Sequence, residues 1–352
     1  MKKPSIELWI RQWRLAKYRS KAHRRSKKRH YIKPASKYVA PGEVIRAPSV
    51  FRLAGYYGVS VSKFLKAVAR SVLDLKIATK LDFRNTTIFH QEAAILLFAD
   101  LDRIANLAVI EKPLTIINPI ARRPREVLKQ VGMHDITGDV CNVIPSRQDV
   151  VYWKSTKGLD QSGSNLAVLE VVAEKVNKEH ADQLVLDKLW RGVSEAVANS
   201  VDHAYKFPRF DGFQGLKDTR WWMFTQLRDG VFNVAVCDLG CGYGATIGHT
   251  IPEKFVSEFR SILFDENKDV FSISTALAYG RSGTKQSERG KGSRDAFSVI
   301  EGHGEGTLLI MSNRGYVEHT FSSGKVTKKV TGGLEISIGG TIVMWKLPLK
   351  EQ

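Results

Sequence analysis

The chain has 352 residues, 43% of them hydrophobic and three of them cysteine, with a net charge of +18. That length accommodates two ordinary domains with sizeable cores. So few cysteines argue against a disulfide scaffold and fit a reducing cytosol; apolar stretches such as 93–99 fall far short of the ~18 residues of a membrane span, and the basic N-terminus lacks the apolar core of a secretory signal.

The charge is uneven. Residues 1–35 hold thirteen Lys/Arg against the single acid Glu7, or +12, which leaves +6 for the other 317 residues. Residues 1–45 are therefore expected to be a basic arm, largely disordered when free. Within it, 6–16 has Leu8, Ile10, Trp13 and Leu15 at helical spacing, while 21–33 is a charge run without periodicity. Pro34, Pro41 and Gly42 read as linker. Such an arm fits contact with nucleic acid, ribosome or another anionic surface, and it fits equally a solvated tail.

A first α/β region is expected over 46–157. Strands are read at 49–53, 76–83 and 114–118, the last bounded by Pro113 and Pro119. Helices are read at 61–73, at 91–107 with Ala94, Leu97, Phe98, Leu101, Ile104 and Ala105 on one face, and at 124–131, stopped by Gly132. The alternation indicates an α/β sheet. Residues 158–164 read as a linker or loop.

A second α/β region is expected over 165–349. Helices are read at 169–180, 183–204, 272–279 and 294–301. Strands are read at 221–228, 231–238, 307–313, 316–322, 325–330 and 340–347. Gly-rich loops cover 211–218, 239–270 (with a helix) and 281–293. Trp221 and Trp222 read as one core and one surface residue of a strand. Cys237 and Cys241 read as packed small residues, and His134, His180 and His249 show no ligand spacing.

Four local signals carry chemistry. Glu195 and Asn199, four residues apart, lie one helical turn apart on one face. An amide oxygen is a suitable hard ligand for Mg²⁺, and a nearby carboxylate can orient or deprotonate water. Asp238-Leu-Gly240-Cys-Gly242 follows an apolar strand, where an acid can accept from an exocyclic amine and glycines allow close approach. Arg289-Gly290-Lys291-Gly292-Ser293 opens a helix, and free N–H groups at a helix N-terminus suit phosphate; Arg281 and Lys285 add charge. This spacing is neither a P-loop nor a dinucleotide fingerprint. Last, Gly339-Gly340-Thr341 leads into the final strand, where a hydroxyl could share the amine-side hydrogen bonds of Asp238.

In this order the four signals resemble the N, G1, G2 and GT boxes of the GHKL ATPases. The wording Glu195-Ala-Val-Ala-Asn199-Ser-Val-Asp-His203-Ala-Tyr205 is similar to the anti-sigma-factor serine kinase branch. The resemblance implies a Bergerat α/β sandwich that binds ATP and Mg²⁺. It gives Asn199 to Mg²⁺, Glu195 the role of general base, and Asp238 the recognition of adenine. Gly240 and Gly242 would admit the nucleotide, and Gly290 and Gly292 would wrap the phosphates beneath a lid of about 279–293, beside Arg289 and Lys291. His203 would sit near the phosphates or support the helix.

The sequence departs from the family in places. Ser293 and Arg294 replace the usual Leu after the second-box glycines. The 279–293 lid is longer and more basic than in the anti-sigma kinases. No phospho-acceptor histidine on a dimerisation helix is read, and no C-terminal domain supplying a catalytic lysine is expected. The first region resembles a STAS domain in Leu81-Asp82-Phe83, Thr86–His90, the 91–107 helix, the 114–118 strand and Val127–Gly132; where antagonists of that family carry a phosphorylatable serine, this chain reads His90-Gln91-Glu92-Ala93.

The expectation is thus a cytosolic ATP-binding regulator, a STAS-like module fused to a GHKL domain that hydrolyses ATP slowly or phosphorylates a partner protein on serine or threonine. Two alternatives stay open: a non-catalytic ATP-gated interaction module, and a nucleic-acid-associated ATPase anchored by residues 1–35. A protein partner is expected, an oligomer is compatible, and no membrane contact is implied.

Overall fold

The structure is a computed structural model that describes residues 42–161, 166–179, 184–209, 217–262, 267–281 and 291–349. Gly42–Gln352 forms one compact unit. Residues 1–41 of the expected arm, His180, Lys285, Arg289 and Gly290 lie outside the described residues.

The chain is a mixed α/β protein. From the N-terminal side it runs β1 (Glu43–Arg46), β2 (Val50–Phe51), α1 (Tyr56–Ala69), β3 (Thr79–Asp82), β4 (Ile88–Phe89), α2 (Gln91–Leu107), β5 (Leu114–Ile117), α3 (Arg122–Gln130), α4 (Met133–Thr137), α5 (Gln148–Val151) and β6 (Lys154–Gly158). It continues through α6 (Ala167–Glu179), α7 (Leu186–Asn199), β7 (Trp221–Arg228), β8 (Val231–Asp238), α8 (Tyr243–Thr250), α9 (Glu253–Ile262), α10 (Lys268–Arg281) and α11 (Lys291–His303). It closes with β9 (Gly306–Ser312), β10 (Gly315–Ser322), β11 (Lys325–Gly333) and β12 (Thr341–Pro348).

Strands β1, β3 and β5 form a parallel sheet in that order, and β2 pairs parallel with β4. Parallel neighbours need crossover connections, and α1 and α2 supply them. Strand β1 begins at Glu43, inside the stretch read as arm. It pairs from Glu43↔Thr79 to Arg46↔Asp82, so backbone pairing orders residues that composition alone leaves polar and unassigned.

The remaining strands form one antiparallel sheet in the order β11-β10-β9-β12-β8-β7-β6. Strand β6 falls at the end of the first region in sequence, yet it pairs with β7 from Lys154↔Thr225 to Gly158↔Trp221. Its Lys-Ser-Thr-Lys-Gly composition gives no apolar alternation, which is why it is invisible to patterning.

Both faces of this sheet are covered at β7, β8, β9 and β12, while the edge strand β11 is exposed along most of its length. Side chains alternate across a strand with period two. Trp222 and Phe224 of β7, with Ala235 and Cys237 of β8, enter a core shared with α2 and a phenylalanine cluster of Phe51, Phe64, Phe83 and Phe89. Trp221 and Met223, with Phe232, Val234 and Val236, enter the opposite core beneath α6, α7, α10 and α11. The expectation of one surface tryptophan is therefore corrected: Trp221 and Trp222 are both fully buried, one on each face.

Helix α7 continues into a π-helical segment, Ser200–Ala204, where the Ser200 hydroxyl bonds back to the Ala196 carbonyl at 3.0 Å. It packs closely on α11: a Cβ on Gly192 would lie 2.4 Å from Val299 Cγ2.

Candidate functional site

A cavity of about 880 Å³ lies between α7, its π-helical extension, α8, α10 and the ends of β8 and β12. Glu195 and Asn199 of α7 line it, as do His203, Asp238, Gly242 and Thr341. Three of the four sequence signals, spread over more than a hundred residues of chain, thus meet at one cavity.

The strand register explains part of this. Asp238 is the last residue of β8, and Thr341, the first of β12, stands opposite it. Asp238 is only 6% exposed. Its Oδ1 accepts from the Gly240 N–H at 3.0 Å and its Oδ2 from the Ser200 hydroxyl at 3.5 Å. Burial pushes its carboxyl up to about 6, against the lowering effect of bonds from the Gly240 and Thr341 N–H groups and from Ser200, and of the Arg209 charge. Three donors are already directed at it, yet burial outweighs them, and at neutral pH the carboxylate is still mostly ionised. Such a group favours one more charge-assisted hydrogen bond.

The glycines are explained by neighbouring protein atoms. A Cβ on Gly240 would sit 2.1 Å from the Ala204 carbonyl oxygen, and one on Gly340 would sit 2.0 Å from the Asp238 carbonyl oxygen. Gly240 lets the loop lie against the end of the π-helical segment, where the Cys241 N–H donates to Ala204 O at 2.7 Å. Gly242 has φ +74°, and a Cβ there would meet Asn313 Nδ2 at 2.5 Å. Asn313 Nδ2 in turn donates to the Cys241 carbonyl, and the Tyr243 N–H to Ser312 Oγ, pinning the turn to the end of β9.

Comparisons of the chain with models of protein families, with curated proteins and with solved structures returned no match.

The third signal is described only in part. Lys291 and Gly292 form the first turn of α11, and Trp345 of β12 donates from Nε1 to the Ala296 carbonyl of that helix. Ala276 and Tyr279 of α10, the helix that leads into 282–290, line the cavity.

Among the described residues, no group of three or more His, Cys, Asp or Glu could hold a metal ion. The donor set at Asn199 still fits Mg²⁺, which keeps several waters and takes one or two protein ligands beside substrate phosphates.

Several lining residues carry no sequence signal. Ser200 reaches Asp238 because the π-helical segment follows Asn199 directly. Tyr243 lines the cavity, and burial together with the charges of Asp238 and Glu195 pushes its phenol up to about 12. Phe207 and His249, also lining, stack at 4.8 Å between ring centroids. Cys237 and Cys241 are buried free thiols, and burial raises both. No described helix is long and apolar enough to cross a membrane.

Proposed function

We propose that the 165–349 region is a GHKL-type domain that binds ATP with Mg²⁺ in this cavity, and that ATP switches the chain's contacts with a partner. The observation that carries the reading is the convergence of Glu195, Asn199, Asp238 and Thr341 on one cavity of about 880 Å³. Small-molecule sites commonly measure roughly 300–1,000 Å³, with a few convergent polar groups on apolar walls. Val236, Val343 and Ile247 supply the walls here.

In this reading Asp238 accepts a hydrogen bond from the adenine amine, and Thr341 stands beside it. Asn199 holds Mg²⁺, whose charge would offset that of the phosphates. Glu195, one turn before Asn199, orients or deprotonates a water or a partner hydroxyl. The expected lid of about 279–293 lies largely outside the described residues, and of it Tyr279 lines the cavity. The parallel β1-β3-β5 sheet with its crossover helices supports a STAS-like reading of the first region.

The experiment is calorimetric titration of ATP with and without Mg²⁺ on the full chain and on Asp238→Asn. Losing one charge-assisted hydrogen bond is expected to weaken binding by about 10- to 150-fold. An unchanged affinity removes Asp238 from the adenine role, and no binding to the wild-type chain removes the reading.

A further inference from the structure

Helix α2 of the first region carries a buried carboxylate, Asp102, that faces the large sheet. It is 2% exposed and meets four donors. Lys157 Nζ and Asn106 Nδ2 reach Oδ1 at 2.6 and 3.1 Å, while Arg220 Nη1 and Trp222 Nε1 reach Oδ2 at 3.0 and 3.1 Å. A carboxylate buried this deeply persists because its partners are held in place, and Arg220 is therefore fixed relative to α2. Lys157 is different in kind, its side chain 45% exposed against 13% for Arg220.

Arg220 is linked onward through its backbone. The Tyr205 hydroxyl donates to the Arg220 carbonyl and accepts from the Leu239 N–H at 3.3 Å. Tyr205 directly follows the Ser200–Ala204 segment that extends the Asn199 helix. Leu239 directly follows Asp238, and its side chain is buried in the core that α2 also fills. One hydroxyl therefore bridges the start of β7, the end of the Asn199 helix and the loop that aims Asp238.

We propose that Asp102, Arg220 and Tyr205 form a relay through which helix α2 sets the position of the Asp238 loop. Tyr205 acts as a positioning residue, and the first region acts on the cavity through it. A shift of α2 pulls on Arg220, moves the carbonyl that Tyr205 holds, and so loosens the Leu239 amide next to Asp238. The ligand half of this inference rests on the adenine-binding reading; the mechanical half does not.

The test uses the full chain with Tyr205→Phe, Asp102→Asn, the double variant, and Lys157→Ala as a control that also touches Asp102 but stands outside the relay. Two quantities are read: amide hydrogen exchange at 239–241 without ligand, and affinity for ATP against inosine triphosphate, which lacks the amine. Tyr205→Phe keeps the ring and is expected to speed exchange at Leu239 and to weaken ATP by roughly 2- to 10-fold, the range for one neutral hydrogen bond. Inosine triphosphate is expected to change little, so the ratio narrows.

Asp102→Asn is expected to do the same at Leu239 although it does not touch it, and the double variant to add little to the larger single effect. Lys157→Ala is expected to leave both readouts at wild type. Should Asp102→Asn fail to fold, Arg220→Lys is read in the same way. Wild-type exchange at 239–241 in Asp102→Asn or Arg220→Lys overturns the relay. Wild-type chain that binds neither nucleotide defeats the adenine reading, and the exchange measurement still decides the relay.

Discussion

Replacing Asp238 with Asn should shift the stability of the ligand-free protein progressively in the mutant's favour as pH rises, while weakening its ligand binding. The cause is the cost of holding an ionised carboxylate that is 6% exposed. Its carboxyl is pushed from 3.8 in the unfolded chain to about 6 in the fold. At about 1.36 kcal/mol per unit, ionisation opposes folding by roughly 3 kcal/mol above pH 7. The sign follows from linkage. A folded value above the unfolded one means that the native state binds the extra proton, so this contribution is full below about pH 4 and is lost as pH rises through 6. Asn does not titrate. The stability difference between Asp238→Asn and wild type should therefore grow by about 2 kcal/mol in favour of the mutant between pH 4.5 and pH 8. In a folding unit of about three hundred residues that corresponds to a Tm shift of roughly 3 °C. The assay is urea or thermal unfolding of both proteins, without nucleotide, at four or five pH values. The other acids, among them Asp82 and Asp149 with their lowered carboxyls, are common to both and cancel. Parallel stability curves over this range would refute the argument.

Glu195→Gln is expected to retain ATP binding and to lose about 10²- to 10⁴-fold of any turnover or transfer, the usual contribution of a general base; wild-type turnover in a phosphate-release assay removes the role. Asn199→Ala should abolish the Mg²⁺ dependence of binding, seen as identical calorimetric isotherms with and without the ion. Gly240→Ala places a Cβ 2.1 Å from the Ala204 carbonyl oxygen, a backbone atom that cannot step aside cheaply. It should cost about 1–3 kcal/mol or more by overpacking, read as a fall in Tm without nucleotide present. Removing residues 1–41 should leave ATP affinity unchanged and, if the arm binds nucleic acid, flatten the salt dependence by about 0.9 per lost phosphate contact on duplex DNA. Equal slopes for the two chains make the arm a tail or a protein-docking segment.

What patterning makes legible here depends on how each element is stabilised. Helix α2 and strands β7 and β8 are bounded by the same residues in sequence and structure, because each buries a strong apolar pattern whose period is its own. Strands β1 and β6 have no such pattern. They are ordered by hydrogen bonds to β3 and β7, which lie far away in sequence, and local propensity carries no trace of that pairing. The paired tryptophans show the same limit from the other side: alternation assigns them to opposite faces of a strand, but only the packing of α2 on the second face makes both faces interior. At the candidate site, Glu195, Asn199, Asp238 and Thr341 are legible because their spacing follows elements that could be read. Ser200 and Tyr205 are not, since their hydroxyls reach Asp238 and Leu239 only where the α7 helix widens into its π-helical turn. The glycines separate the two kinds of information. Gly240 stands in the chain where a ligand-admitting glycine would, yet the atom that forbids a side chain there is the carbonyl of Ala204. A glycine-rich motif therefore marks where loop and helix must meet before it marks what they hold, and in this chain that meeting point is also what aims Asp238 into the cavity.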